Sequence, residues 1–150
     1  KTVSLPARFE KLNSDPVFIA DGAHTPQSIG LCAETFCQLF GNRGILLFAC
    51  AADKDYTSMA GLLLPRFSRC IITSPGNFKA SNPGAVYEAF RSAAKTRIGT
   101  CVQENIFYAP DTFAAIDEAL KTGKEKSLPI LGCGSFYLAA EIRKCLKIKL

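Results

Sequence analysis

Several things are missing from this 150-residue sequence, and each absence narrows what it can do. No run of about 18 apolar residues occurs, so no stretch is fit to span a bilayer as a helix. The N-terminus KTVSLPARFE lacks the apolar centre of a secretory leader, so secretion is not indicated. It also lacks an initiator Met, and the expectation is a fragment or a processed product. The seven cysteines form no C-x-x-C pair and are odd in number. Neither a disulfide framework nor a zinc site is indicated. No repeat and no low-complexity segment is visible. No aromatic-interleaved basic stripe accompanies the net charge of +5, so neither nucleic acid nor a membrane is an expected partner. The excess charge is either ordinary surface or suited to a small anionic substrate. No G-x-x-x-x-G-K-[ST] run occurs, so the usual cradle for a triphosphate and its Mg²⁺ is absent from this sequence. Histidine is nearly absent too: His24 is the only one.

What is present is a well-cored chain, 48% hydrophobic and 21% charged. That suffices for a single domain over residues 1–150 and argues against disorder. Most cysteines sit in apolar runs such as Phe48-Ala49-Cys50 and Cys70-Ile71-Ile72. They read as small hydrophobes in a reducing cytosol, and a cytoplasmic location is expected. Along the chain a strand signal, a loop and a helical pattern recur. Val17 to Ala20 is the first clear strand. A helix follows from Pro26, with Thr25 as N-cap, Gly41 as stop, and Ile29, Cys32, Ala33, Phe36 and Phe40 on one face. Ile45 to Cys50 is the second strand, and its helix from Tyr56 carries Met59, Leu62, Leu63 and Phe67. Cys70 to Thr73, a weaker stretch within Cys101 to Tyr108, and Pro129 to Leu131 complete the strand set. Helices are expected near Ala85 to Thr96, after Pro110 and Asp111 with Phe113, Ile116 and Leu120 on one face, and from Ser135 to Lys144.

Five such units predict an α/β fold: a Rossmann-like three-layer sandwich with a mostly parallel sheet of about six strands. Phe9 to Leu12 could add an antiparallel edge strand. In such folds ligands bind at the carboxyl ends of the strands. DGAHTP, AADKDY and GCGSFY all lie there.

GCGSFY begins like a dinucleotide fingerprint, but Tyr137 stands where the third glycine belongs and no acidic residue follows on a later strand. What survives is a glycine turn opening a helix. Ser135 either caps that helix or, with the free N–H groups, meets an anion such as a carboxylate. Lys54, between Asp53 and Asp55, either grips a phosphate or forms a solvated ion pair. Cys133 is a conceivable nucleophile with no sign of a lowered pKa. His24 is either a structural histidine or a site residue; its place after a strand, before a helix and three residues beyond Asp21 favours the site.

ARFE (7–10), DGAHTP (21–26), DKD (53–55) and GSFYL (134–138), in that order, resemble the C-terminal domain of folylpolyglutamate synthases and bifunctional dihydrofolate synthases. The resemblance covers essentially the whole chain. The related Mur ligases of cell-wall synthesis share the domain and an Asp-x-x-His segment. The resemblance implies ATP-dependent amide formation, in which a folate or dihydropteroate carboxylate becomes an acyl phosphate and is attacked by the amino group of L-glutamate. It implies that Arg8 and Asp21 serve ATP, that His24 and Ser135 place glutamate, and that Lys54 and Asp55 line the same cleft. It assigns ATP and Mg²⁺ mainly to a preceding ATPase domain of the same polypeptide, so this chain alone is expected to fold but to be catalytically incomplete. The sequence departs from the pattern at Ala7, where Gly is usual before Arg-Phe-Glu, and at Thr25, where Asn is usual. A frequent Arg after the third strand is replaced by nothing closer than Lys79. Two other readings remain open. One is the matching domain of a Mur-type amino-acid ligase, and the other is a non-catalytic module binding a small anion.

Overall fold

A computed structural model describes residues 7–97 and 101–149 of the chain. The first six residues, part of the stretch read above for a leader, lie outside the described residues. Six strands form one sheet: β1 (Glu10–Ser14), β2 (Val17–Ala20), β3 (Gly44–Phe48), β4 (Phe67–Ile72), β5 (Ile106–Tyr108) and β6 (Ile130–Cys133). Their spatial order is β1-β2-β6-β3-β4-β5. Only β1 runs antiparallel, against β2; the other neighbours are parallel. The expected edge strand is therefore real, shifted one residue to begin at Glu10.

Five helices cover the sheet: α1 (Pro26–Phe40), α2 (Tyr56–Leu63), α3 (Pro83–Lys95), α4 (Thr112–Lys126) and α5 (Phe136–Lys149). One core layer joins the α1, α2 and α3 stripes, including Phe36, Leu63 and Phe90, to one sheet face. The other joins α4 and α5, through Ile116, Leu138 and Ile142, to the opposite face. Side chains of β3 alternate between the two, with Leu46 and Phe48 on one side and Ile45 and Leu47 on the other. A strand buried on both faces needs the continuous apolar run that GILLF supplies.

Local signals explain the helix ends. Thr25 caps α1: its hydroxyl accepts from Ser28 N at 3.1 Å, the Thr25 amide in turn donates to Ser28 Oγ at 3.1 Å, and Pro26 follows where no N–H is needed. Two expectations need correction. Phe67 does not continue the α2 face, because Pro65 ends the helix in a single turn of 3₁₀ helix (Leu64–Arg66) and the chain enters β4. Phe113 does not face inward: it is 48% exposed, and α4 instead buries Ala115, Ile116 and Ala119. Asp111 caps that helix, and the small side chains let it sit close to the sheet.

The site is positioned by the topology. β6 lies between β2 and β3, although it is the last strand in the chain. The carboxyl ends of β2, β6 and β3 thus meet where the strand order reverses, with α1 and α5 starting on opposite faces of the sheet. This is the crevice that open α/β sheets use for ligands.

Candidate functional site

The DGAHTP and GCGSF turns are stitched together by main-chain bonds. Asp21 N donates to Gly132 O at 2.9 Å, and Gly134 N donates to Ala23 O at 2.8 Å. Gly134 has φ +111°, and a Cβ there would run into the carbonyl oxygen of Ala49. Only glycine permits that approach.

Asp21 organises the first turn. Its Oδ1 accepts from Ala23 N at 2.7 Å, and its Oδ2 accepts from Phe9 N at 2.8 Å. Gly22 N donates to Ala7 O at 2.7 Å. Arg8 is thereby presented, exposed, between two tethered neighbours. Beyond it Glu10, buried, faces Arg143 of α5 with 3.4 Å between Oε2 and Nε. The segment is also bent sharply: Ala7 and Phe9 have φ of +61° and +46°.

Two cavities flank His24. The larger, about 430 Å³, is bordered by Arg8, Asp21, Ser28, Leu31, Cys32 and Phe136 among others. The smaller, about 140 Å³, is bordered by Lys54, Lys79, Ser135, Phe136 and Tyr137. His24 and Phe136 border both. Lys54 and Lys79 come from different loops, joined where Ala52 N donates to Ala80 O at 2.9 Å. Lys54 makes no ion pair with Asp53 or Asp55 among the described residues. Asp55 is not in either cavity; it caps α2, accepting from Ser58 N at 3.2 Å.

Ser135 is buried and caps α5, its Oγ accepting from Tyr137 N at 3.0 Å and from Leu138 N at 3.4 Å. No described acceptor takes its hydroxyl hydrogen, which stays free for an anion at the helix N-terminus. Capping and anion binding are therefore compatible here. Cys133 fails as a nucleophile. It is wholly buried, and hydrogen bonding with Cys32 together with burial holds its thiol well above the ordinary range. No disulfide joins any of the seven cysteines, all of which lie among the described residues. Among the described residues no three His, Cys, Asp or Glu side chains converge to hold a metal ion. No helix among them is long and apolar enough to cross a membrane.

The arrangement can bind anions on the Lys54–Lys79 side and offer Arg8 to a second anion on the other. The sequence-derived candidates Arg8, Asp21, His24, Lys54 and Ser135 are brought to these adjoining cavities, and Asp55 is not. Phe136 lies within the GSFYL motif and Lys79 is the basic residue noted after the third strand, but neither is named as a site residue from sequence.

Against known families, residues 7–136 match the Mur ligase, glutamate ligase domain. This chain belongs to the Mur ligase glutamate-ligase domain family. Within the family, it is 32% identical over 142 residues to folylpolyglutamate synthase of Lacticaseibacillus casei, covering 94% of this chain and 29% of that protein. It is 26% identical over 140 residues to UDP-N-acetylmuramoyl-L-alanyl-D-glutamate–2,6-diaminopimelate ligase of Prochlorococcus marinus, covering 86% of this chain and 26% of that one. The fold superposes on Mycobacterium tuberculosis folylpolyglutamate synthase complexed with ADP and AMPPCP with TM-score 0.82 and 24% identity. That match covers 96% of this chain and 33% of that structure. The chain thus spans about a third or less of each relative it matches.

Proposed function

We propose that this glutamate-ligase domain is the amino-acid side of a folate-tailing ligase, acting with an ATPase domain that precedes it in the same polypeptide. The observation that supports this most directly is the smaller cavity. Two lysines, a free hydroxyl hydrogen and a helix N-terminus surround about 140 Å³, the chemistry and size suited to a small dicarboxylate such as L-glutamate. Arg8 lies across the His24 wall, where it can meet the phosphates of ATP or of an acyl phosphate. The chain's part in the reaction is then positional: it holds the amine donor while the acyl phosphate of a folate or dihydropteroate is presented from the other domain. ATP and Mg²⁺ are handled mainly by that other domain. A cytoplasmic location accords with seven cysteines that form no disulfide.

The test is a coupled ADP-release assay on the full-length enzyme, comparing dihydropteroate, a tetrahydrofolate and a UDP-muramoyl peptide as acceptors with glutamate as donor. ADP release that depends on glutamate and on a pteridine acceptor supports the reading. Turnover on the muramoyl acceptor alone assigns the domain to cell-wall synthesis instead. The isolated 150-residue chain is expected to release no ADP.

A further inference from the structure

The imidazole of His24 is held in a defined frame. Its Nδ1 lies 3.0 Å from Gly22 O. A carbonyl oxygen only accepts, so Nδ1 carries the proton in this contact, and in the neutral ring Nε2 is left with the lone pair. No described residue bonds Nε2. The ring's other neighbour is Phe136, with centroids 5.4 Å apart and planes tilted by 55°. Phe136 is itself seated on Gly22: a Cβ on that glycine would collide with the edge of the phenyl ring. Yet Phe136 remains 49% exposed, and it borders both cavities together with His24. The ring is not part of either core layer.

The smaller cavity is rich in donors. Lys54 and Lys79 only donate, and the Ser135 oxygen already accepts from two amides. A primary amine or ammonium placed there needs an acceptor, and His24 Nε2 is the one whose ring is fixed on two sides. The Tyr137 hydroxyl also borders this cavity and could accept, but its ring is stacked on the exposed Phe78 at 5.6 Å rather than on the His24 frame.

We propose that Phe136 is a positioning residue, which with the Gly22 carbonyl holds His24 so that Nε2 accepts a hydrogen bond from the amino group of the incoming amino acid. The amine half rests on the amino-acid-side reading above; the positioning half does not. Because Gly22 must be side-chain-free for Phe136 to seat, the two residues act as one device split between the DGAHTP and GCGSF turns.

Both halves can be read separately. His24 is the only histidine, so its ring signals are unambiguous in nuclear magnetic resonance spectra of the ¹⁵N-labelled chain. At pH 8, where a free imidazole is neutral, the wild type should show the Nδ1–H form and a Cε1–H shift displaced by the phenyl ring. Phe136→Leu should abolish the displacement and mix the tautomers, and Phe136→Tyr should keep both. Unchanged His24 signals in folded Phe136→Leu overturn the positioning role; Phe136→Met serves if the Leu variant does not fold. In the full-length ligase, Phe136→Leu should raise the KM for glutamate about tenfold, the scale of one hydrogen bond to a charged group, and leave the KM for ATP within twofold. Phe136→Tyr should restore it. Equal changes in both KM values, or none in that for glutamate, overturn the amine contact. A wild-type enzyme inactive with glutamate overturns the underlying reading, while the resonance result still decides the positioning role.

Discussion

Replacing Asp21 with Asn tests how the cleft is built. The carboxylate accepts Phe9 N at 2.8 Å through one oxygen and Ala23 N at 2.7 Å through the other. An amide of the same shape keeps only one oxygen. Its NH₂ must face one of the two backbone donors, and donor against donor cannot bond. The loss is one bond to a charged acceptor, about 1.5–3 kcal/mol. Asp21 is only half-buried, so water offsets part of this, and the lower end of that range is expected. With a urea m-value of about 2 kcal/mol/M, the midpoint should fall by about 0.7–1 M. The damage should also be local: amide exchange at Phe9 and Ala23 should quicken while β3 and β4 amides keep pace with the global change. A midpoint within about 0.2 M of wild type, with both amides still protected, would refute the claim that this carboxylate ties the Arg8 segment to the turn.

Three further outcomes follow from the geometry. Gly134→Ala should be among the most damaging single substitutions, at about 3 kcal/mol or more, because a strained φ of +111° is compounded by collision with the Ala49 carbonyl; thermal unfolding measures it. Ala7→Gly should stabilise by up to about 1 kcal/mol, since Ala7 sits at φ +61°, a conformation that glycine adopts without a Cβ conflict; the same melts decide the sign. Burial, the largest cause, pushes the Cys50 thiol up to about 12 against an ordinary 9.0. The native state then holds a proton that the unfolded chain releases, so this residue should make stability fall as pH rises from 9 to 12, and Cys50→Ala should lessen that fall in urea titrations across the range.

The order of elements was legible because the inner strands are short apolar runs and because the Thr25-Pro26 and Asp111 helix starts are recognisable; α3, expected only from Ala85, opens earlier, at Asn82-Pro83. Periodicity misled where it was read one residue too far. Phe67 matches the α2 spacing, but Pro65 breaks the helix before it, and Phe113 matches α4 although it falls on the outer edge of the stripe. Asp55 illustrates a deeper ambiguity. A carboxylate after a strand reads alike whether it lines a cleft or caps the next helix, and here it caps. Asp21 does structural work through backbone amides that spacing cannot reveal, whereas capping by Ser135 was one of its two open readings. Lys79 and Phe136 stood beside or within named motifs, but no role could be assigned to them from sequence. Their relevance arises only when β6 is inserted between β2 and β3 and when Ala52 meets Ala80 across two loops. Ala7 was visible as a departure from its family's usual glycine, and the backbone supplies the reason for the glycine.

The central place of β6 has a consequence for how the protein comes into being. Residues 130–133 must pair with β2, more than a hundred positions earlier, and with β3 on their other side. Until they emerge from the ribosome, β2 and β3 present two unpaired inner edges, and the Asp21–His24 turn has nothing to lean on. Such distant pairings are slow to form and leave adhesive edges exposed meanwhile. Cleft assembly is thereby tied to the emergence of β6 and α5: a product truncated before residue 130 would lack the cleft and tend to aggregate, while one reaching α5 could close the sheet and its site in the same event.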